Sequence, residues 1–576
     1  MKNDILLSVI LLLFFGNSYA QVSISPSPSV PDPSAMLDIQ STQKGLLIPR
    51  MSKTERLAIA SPATSLMVYQ TDGVKGFYYY DGIFWTSIST TDSGWKVNGN
   101  GGTVDGTNFI GTTDDQPLNF RINNIPAGKI TADGVCLGYN AGLNNTMPGN
   151  TMIGTHALMS NSSGVYNVAI GTDAMQNNTD GGGNIAIGTS ALKNNTSGYM
   201  NTVIGMESGL NNTTGAENTS YGSLSLRSNI SGNENTALGR FASYSNTTGS
   251  RNMTIGYGTG QLNQTANEET HIGYKAGYNT ISNLDPFNAP NPNTFVGYQA
   301  GYNNTTGWAN HFSGYKAGMA NTIGYYNTAT GFQALKSNID GFNNTAIGFT
   351  AMETNTSGSN NTSIGSSALV LNTTGSYNTA IGADCLGQNS IGNHNVAIGY
   401  QSLTNNTGGD FNSAIGNYAL RDNSTGNYNE AFGKSSLSNN ESGWFNTAIG
   451  SGALISSIDG DENVAVGHSA LGGNQNGDRN TAVGTYALGL NTANDNCAFG
   501  NLALYLNTSG TKNTAMGKDA LANNTIAGYN TAIGSDALES NTTGESNTSL
   551  GTLSMSANTM GNNNTAIGRS AMLESE

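Results

Sequence analysis

The sequence predicts an all-β protein built as a parallel β-solenoid. Three observations carry this. One phrase, Asn-Thr-Ala-Ile-Gly, recurs from residue 134 onward; its copies keep a 17-residue step; and asparagine and glycine hold fixed columns within it. With the closing glycine as a marker, copies run from Gly138 to Gly568. Of the 25 intervals, 22 are 17 residues, two are 16 (ending at Gly154 and Gly500) and one, from Gly273 to Gly297, is 24. Chance does not hold such a period. The expected architecture is a β-solenoid or β-roll of about 26 coils over residues 134–576, preceded by a small β-rich module and assembled as a trimer.

Composition removes the alternatives. The 576 residues include 76 glycines, 22 basic and 37 acidic side chains, a net charge of −15, and only 10% are charged. That is unlike a string of ordinary enzyme domains. The low charge per residue also argues against disorder, and no Gly-X-Y period suggests collagen. Nucleic acid is not an expected partner, because phosphate binding needs clustered Lys and Arg.

Met1-Lys2-Asn3, the apolar run Ile5 to Phe15 and the small-residue end Ser18-Tyr19-Ala20 form the three-part pattern of a secretory signal peptide, cleaved near Ala20. The run is short for a bilayer. No later apolar run could span one, so no transmembrane segment is expected in the mature chain. No Cys follows the cleavage site, so lipoprotein anchoring is not expected.

Residues 21–43 read as a linker, with Ser25 to Ser34 rich in Pro and Ser. Residues 44–100 read as the small module. Lys44 to Met51 suggests a strand, Ser52 with Glu55 a capping box opening a short helix, and Ser65 to Gln70, Gly76 to Tyr80 and Ile83 to Ser89 further strands. Asp72-Gly73 and Asp81-Gly82 supply turns. Phe77, Tyr78, Tyr79, Tyr80, Phe84 and Trp85 could make a sugar platform; packing of the module's own core is the favoured reading. Residues 101–133 form a connector, Gly106 to Ile130 leading into the first coil.

Each repeat column has a physical reading. Asn stands four before the marker in 24 of 26 units and seven after it in 23, which suits turns and amide ladders from coil to coil. The marker glycine, and the glycine ten after it, suit tight corners. The position before the marker is Ile, Val, Leu, Met or Phe except at Tyr221, Ser313 and Thr330. Three after the marker is always small, and four after is usually Leu or Met, with Gly at Gly260, Gly277, Gly301 and Gly318. Two or three short strands per coil are expected, with a helical turn in the Ala-Leu half as the minority reading. Neighbouring strand residues point to opposite faces. The pairs Ala-Ile and Ala-Leu therefore imply apolar surface on both faces, the outer one buried against further copies in a closed three-fold bundle.

The remaining features carry little chemistry. Cys136, Cys385 and Cys497 each replace a small repeat residue, so buried inert thiols are expected, not disulfides. The insertion, Asn283 to Asn293 within about 280–293, should loop out of the stack. His156, His271, His311, His394 and His468 occupy different columns and show no zinc spacing. The corner Asp459-Gly460-Asp461-Glu462-Asn463 reads as a solvated turn rather than a Ca²⁺ site. No phosphate-binding, nucleophile-elbow or zinc-protease motif occurs. Catalytic, cofactor-binding and metal residues are expected to be none, and the ligand is left unknown.

The Ala-Ile-Gly triplets, as at Ala346-Ile347-Gly348 and Ala532-Ile533-Gly534, resemble the head repeats of trimeric autotransporter adhesins. They also resemble repeats of phage tail-fibre-like proteins and exported Bacteroidetes proteins, in which the 44–100 stretch has counterparts too. The resemblance implies a trimeric, left-handed parallel β-roll used as an adhesive head or shaft. The unit here is longer than the adhesin's. No coiled-coil stalk or membrane-barrel pattern follows, and the chain stops inside a repeat at Glu576, which leaves surface anchoring unexplained. The expected function is non-enzymatic: a secreted or cell-surface fibrous adhesin, homotrimeric, with a glycan or protein ligand. The alternative is a phage tail-fibre-like receptor-binding protein, against which the signal peptide counts. An ice-binding solenoid and a β-helix polysaccharide enzyme rank lower: the Thr column admits Val168, Ile185, Val396 and Val464, and charges do not cluster.

Overall fold

The computed structural model describes residues 21–88, 101, 103–104, 107, 109–281 and 292–573. The signal-peptide segment 1–20 and most of the insertion, 282–291, lie outside the described residues. The chain divides into two compact units, Met1–Gly111 and Thr112–Glu576.

In the first unit, β1 (Val22–Ile24) pairs in parallel with β2 (Leu37–Ile39), so the segment read as a linker carries a small ladder of its own. A four-stranded sheet follows, in the order β3 (Arg50–Met51), β4 (Met67–Gln70), β5 (Gly76–Tyr80), β6 (Trp85–Ile88). The strand expected over Lys44 to Met51 shrinks to its last two residues. Only Arg50 and Met51 find a partner strand, and Leu46 and Leu47 are left exposed. The helix α1 (Lys53–Leu57) opens on the expected capping box: Glu55 N donates to Ser52 Oγ at 3.3 Å, and Ser52 N to Glu55 Oε2 at 2.6 Å. Its Arg56 is buried, with the guanidinium 4.1 Å from the centre of the Tyr78 ring and Nε donating to Gln70 Oε1 at 2.9 Å. The aromatic run splits accordingly. Tyr78 joins Val68 in the core, while Phe77 and Phe84 stay exposed.

The second unit starts with a hairpin, β7 (Leu118–Ile122) and β8 (Ile125–Thr131), turned at Asn123-Asn124 with both residues left-handed. β8 pairs antiparallel with β9 (Gly134–Leu137), so the connector caps the open edge of the first coil. From β9 through β10 (Thr151–Ile153) to β34 (Thr565–Ile567), one three-residue strand per coil stacks in parallel on the next, each column on itself: Thr345 on Thr362, Ala346 on Ser363, Ile347 on Ile364. The long interval does not disturb this. β17 (Thr270–Ile272) and β18 (Thr294–Val296) remain in register across it.

Each coil therefore has one strand, not two or three, and the Ala-Leu half is not helical. Its residues alternate in hand: in the column four after the marker, leucines have φ of 47° to 54°, and the residue two after the marker is left-handed as well. Ladder bonds continue there, as in Leu192 N to Ser208 O at 2.9 Å. This backbone overturns half of the two-face argument. A left-handed Leu turns its side chain to the same side as the Ala before it, and both are buried, as at Ala368 and Leu369. Only the strand has two faces: Ala346 points in and Ile347 out.

The interior has an amide half and an apolar half. In one coil, Asn167 and Asn178 both donate from Nδ2 to the carbonyl of Gly181, each at 2.9 Å, closing the loop. Between coils, Asn178 Nδ2 donates to Asn161 Oδ1 at 2.8 Å, and Asn167 Oδ1 accepts the backbone N–H of Asn184 at 2.9 Å. These asparagines are fully buried yet bonded, which removes the usual cost of burying an amide. Gly181 is required for room, not for hand: a Cβ there would lie 2.6 Å from Asn178 Oδ1. Marker glycines differ, with φ between 124° and 144°.

The apolar half holds Ala, Ala and Leu, or an exchanged set. Where the strand's inward residue is large, as in His271, Phe295 or Phe312, the residue six later is Gly277, Gly301 or Gly318. The ring fills the space that Leu vacates.

Candidate functional surface

With the inner columns filled, any function resides on outward columns. The first is the residue before the marker. It forms an apolar stripe along the strand face, partly exposed coil after coil: Ile347 39%, Ile381 37%, Ile415 38% and Ile449 43%. Thr, two residues earlier on the same face, is half-buried in most coils.

The second feature is aromatic and went unread in the sequence. Tyr257, Tyr274, Tyr298, Tyr315, Phe332 and Phe349 each follow the marker of successive coils. Their rings stack at centroid spacings of 5.1 to 5.5 Å, with planes within 7° to 11° of parallel. A second ladder, Tyr377, His394, Phe411, Tyr428 and Phe445, stands five before the marker at 4.7 to 5.0 Å. The signal was present: the same column is aromatic in consecutive units, and a parallel register must stack it.

The thiols sit as expected in small-residue columns. Cys136 and Cys385 are buried and Cys497 half-buried, all unpaired. Burial pushes each thiol up, Cys385 to about 11. In the acidic corner, Asp461 accepts the backbone N–H of Trp444 at 2.7 Å, the same task Asp410 performs for Asn393, so it is spent on coil-to-coil bonding. Among the described residues no group of three His, Cys, Asp or Glu is placed to hold a metal ion.

The histidines scatter. His156 Nδ1 and Lys193 Nζ both lie 3.1 Å from Asp173. Burial opposes the charge on Asp173, but these two partners outweigh it and hold its carboxyl below the usual value. His271 is fully buried, its Nε2 2.7 Å from Oε2 of the buried Glu269 and its ring stacked on Phe295 at 4.9 Å. Glu269 takes the place of a ladder asparagine, and its Oε1 accepts from Asn293 Nδ2 at 3.0 Å.

Residues 26–103 match the family described as a phage tail like trimerisation region. No curated protein matches the chain, and no solved structure matches it. A match to a trimerisation region, followed in the chain by a parallel β-solenoid, supports a fibrous structural protein and fits phage tail-fibre-like repeats. Among the described residues, no helix is long and apolar enough to cross a membrane.

Proposed function

We propose that the chain is a homotrimeric fibre, exported through the segment 1–20 and displayed outside the cell or on a bacterial cell surface, whose solenoid presents adhesive surface to a cell or matrix. The observation that carries this is the apolar stripe before the marker. A single chain leaves Ile347, Ile381, Ile415 and Ile449 more than a third exposed on a flat strand face. A soluble protein rarely leaves so long a stripe uncovered, and the match of residues 26–103 to a trimerisation region supports covering it with two further copies. Three stripes meeting on one axis form a closed assembly.

The test is the solution mass of residues 21–576 by light scattering on a sizing column. Three chain masses are expected. Ile381→Lys with Ile415→Lys, which place charge on the stripe without touching the interior, should yield single chains. A single-chain mass for the unaltered protein would sink the reading. Binding to matrix proteins would then separate adhesin from plain scaffold.

A phage tail-fibre-like receptor-binding protein is the second reading, favoured by the match over 26–103. The N-terminus of the exported protein separates the two: an adhesin begins near Gln21, whereas a phage fibre assembled in the cytoplasm retains Met1.

A further inference from the structure

We infer that the tyrosine ladder from Tyr257 to Phe349, with the cations beside it, is a docking stripe for a linear acidic polysaccharide of the uronate class. This rests on the fibre reading above and names its ligand class.

The stripe differs from the neighbouring coils in its charges. The chain is strongly acidic, and the nearest cations outside the stripe hold carboxylates: Lys193, Arg227, Arg251 and Lys336 each lie within 3.1 Å of one. The cations on the stripe hold none. Arg240 stands directly below Tyr257 in the same column, against Phe241 at 4.6 Å. Lys275 Nζ lies 5.5 Å from the Tyr274 ring and 5.1 Å from the Tyr278 ring, and Lys316 Nζ lies 5.2 Å from the Tyr315 ring. No acidic residue occupies either of the two columns after the marker from Arg240 to Thr350. The cations thus lie beside the ladder with no carboxylate partner among the described residues.

The rest of the stripe offers hydroxyl-directed contacts. Gln299 and Gln333 alternate with Lys275 and Lys316 in the second column, and among the described residues their side-chain amides make no hydrogen bond. Tyr257, Tyr274, Tyr298 and Tyr315 are each about 40% exposed. Because the rings stack on one another, their faces are sealed and their edges and hydroxyls project. Lys275 and Lys316 are two coils apart, roughly 10 Å at the spacing of neighbouring strands. A polymer lying along the rod would meet a cation, an amide and a tyrosine hydroxyl in regular succession. A uronate chain carries a carboxylate and hydroxyls on every ring and satisfies all three.

The same geometry disfavours other occupants. Bases bind single-strand platforms by stacking on open ring faces, and here open faces remain only at the ladder's two ends. A second copy of the chain is matched by the apolar stripe, which runs the length of the stack with breaks at Tyr221, Ser313 and Thr330, whereas the tyrosine ladder is confined to six coils.

The experiment uses the mature chain, residues 21–576, against polygalacturonate, neutral dextran and oligo(dT) at low and high salt. Polygalacturonate should bind, more weakly as salt rises, and dextran should not. Lys275→Gln with Lys316→Gln should weaken binding roughly tenfold, as should Tyr298→Ser with Tyr315→Ser. Lys434→Gln with Lys512→Gln, elsewhere on the rod, should stay within about twofold. No polygalacturonate binding at low salt would overturn the inference. So would equal losses in both lysine pairs, or oligo(dT) binding as tightly. Light scattering on the same samples keeps the readings apart: a trimer that ignores polygalacturonate refutes the ligand and leaves the fibre standing.

Discussion

Gly301 and Phe295 occupy one volume between them. A Cβ on Gly301 would lie 2.7 Å from the ring of Phe295, which is fully buried. Elsewhere the same two columns hold Leu and a small residue, as at Leu369 and Ser363 or Leu386 and Ala380. Phe295→Ala alone should cost about 3–5 kcal/mol through the cavity it leaves. Gly301→Leu alone should cost about 1–3 kcal/mol through overpacking. The double substitution restores the commoner set and should cost less than the sum of the two. Chemical denaturation of the four variants measures the coupling, and strict additivity would refute it.

The amide ladders predict a different sensitivity. Asn378 Oδ1 accepts the backbone N–H of Asn395 at 3.0 Å, and its Nδ2 donates to Gly392 O at 2.8 Å. Asn378→Ala leaves the buried N–H of Asn395 without its acceptor, at about 1–3 kcal/mol, while Gly392 O keeps its bond from Asn389 Nδ2 at 3.1 Å. Hydrogen exchange should show the loss centred on Asn395 and neighbouring coils, because stacked repeats contact only their neighbours. A uniform change along the rod would contradict this.

Glu269 Oε2 and His271 Nε2, both buried, approach to 2.7 Å in a coil whose neighbours carry Asn252 and Asn293 in place of Glu269 and Thr254 and Phe295 in place of His271. Replacing a buried pair by packed apolar groups is often stabilising, whereas removing one partner is not. Glu269→Asn, His271→Ala and Gly277→Leu together restore the common pattern and should stabilise the protein by about 1–4 kcal/mol. His271→Ala alone should destabilise it by about 3–5 kcal/mol. Thermal unfolding of both variants decides.

Cys385 is held by burial with a thiol pKa of about 11. The folded value lies above that of an unfolded thiol, near 8.5. The unfolded chain therefore loses its proton first as pH rises, and stability falls between roughly pH 8.5 and the folded value. At pH 8 an aromatic disulfide reagent should modify Cys385 only as fast as the coil opens. Rapid labelling of native protein would show the thiol to be accessible.

The stack and its asparagines were legible because a parallel register repeats each column on itself, which only a strict period can do. The hand of the Ala-Leu segment was not legible from Ala and Leu, since neither favours a left-handed backbone. The clue lay in Gly260, Gly277, Gly301 and Gly318. Glycine exchanging with leucine in one column marks a position where φ is positive. Reading it would have placed both Ala368 and Leu369 inside and confined the two-face argument to the strand. The aromatic stripe was missed for a related reason: Tyr298 means little alone and acquires meaning only beside Tyr274 and Tyr315.

The apolar interior is not continuous. One cluster ends at Val203, a small one holds Leu226, Ala237 and Ala242, and the longest starts at Ala276. Between them Ser208, Ser220 and Ser225 bond to one another at 2.6 to 2.9 Å, and Ser243 bonds Thr254 at 2.9 Å. Those coils bury hydroxyls where the others bury Ala or, at Ser243, Leu, so each holds its neighbour with less dispersion and less hydrophobic burial. Under tension along the stack, this segment should unwind before the coils beyond Ala276 do.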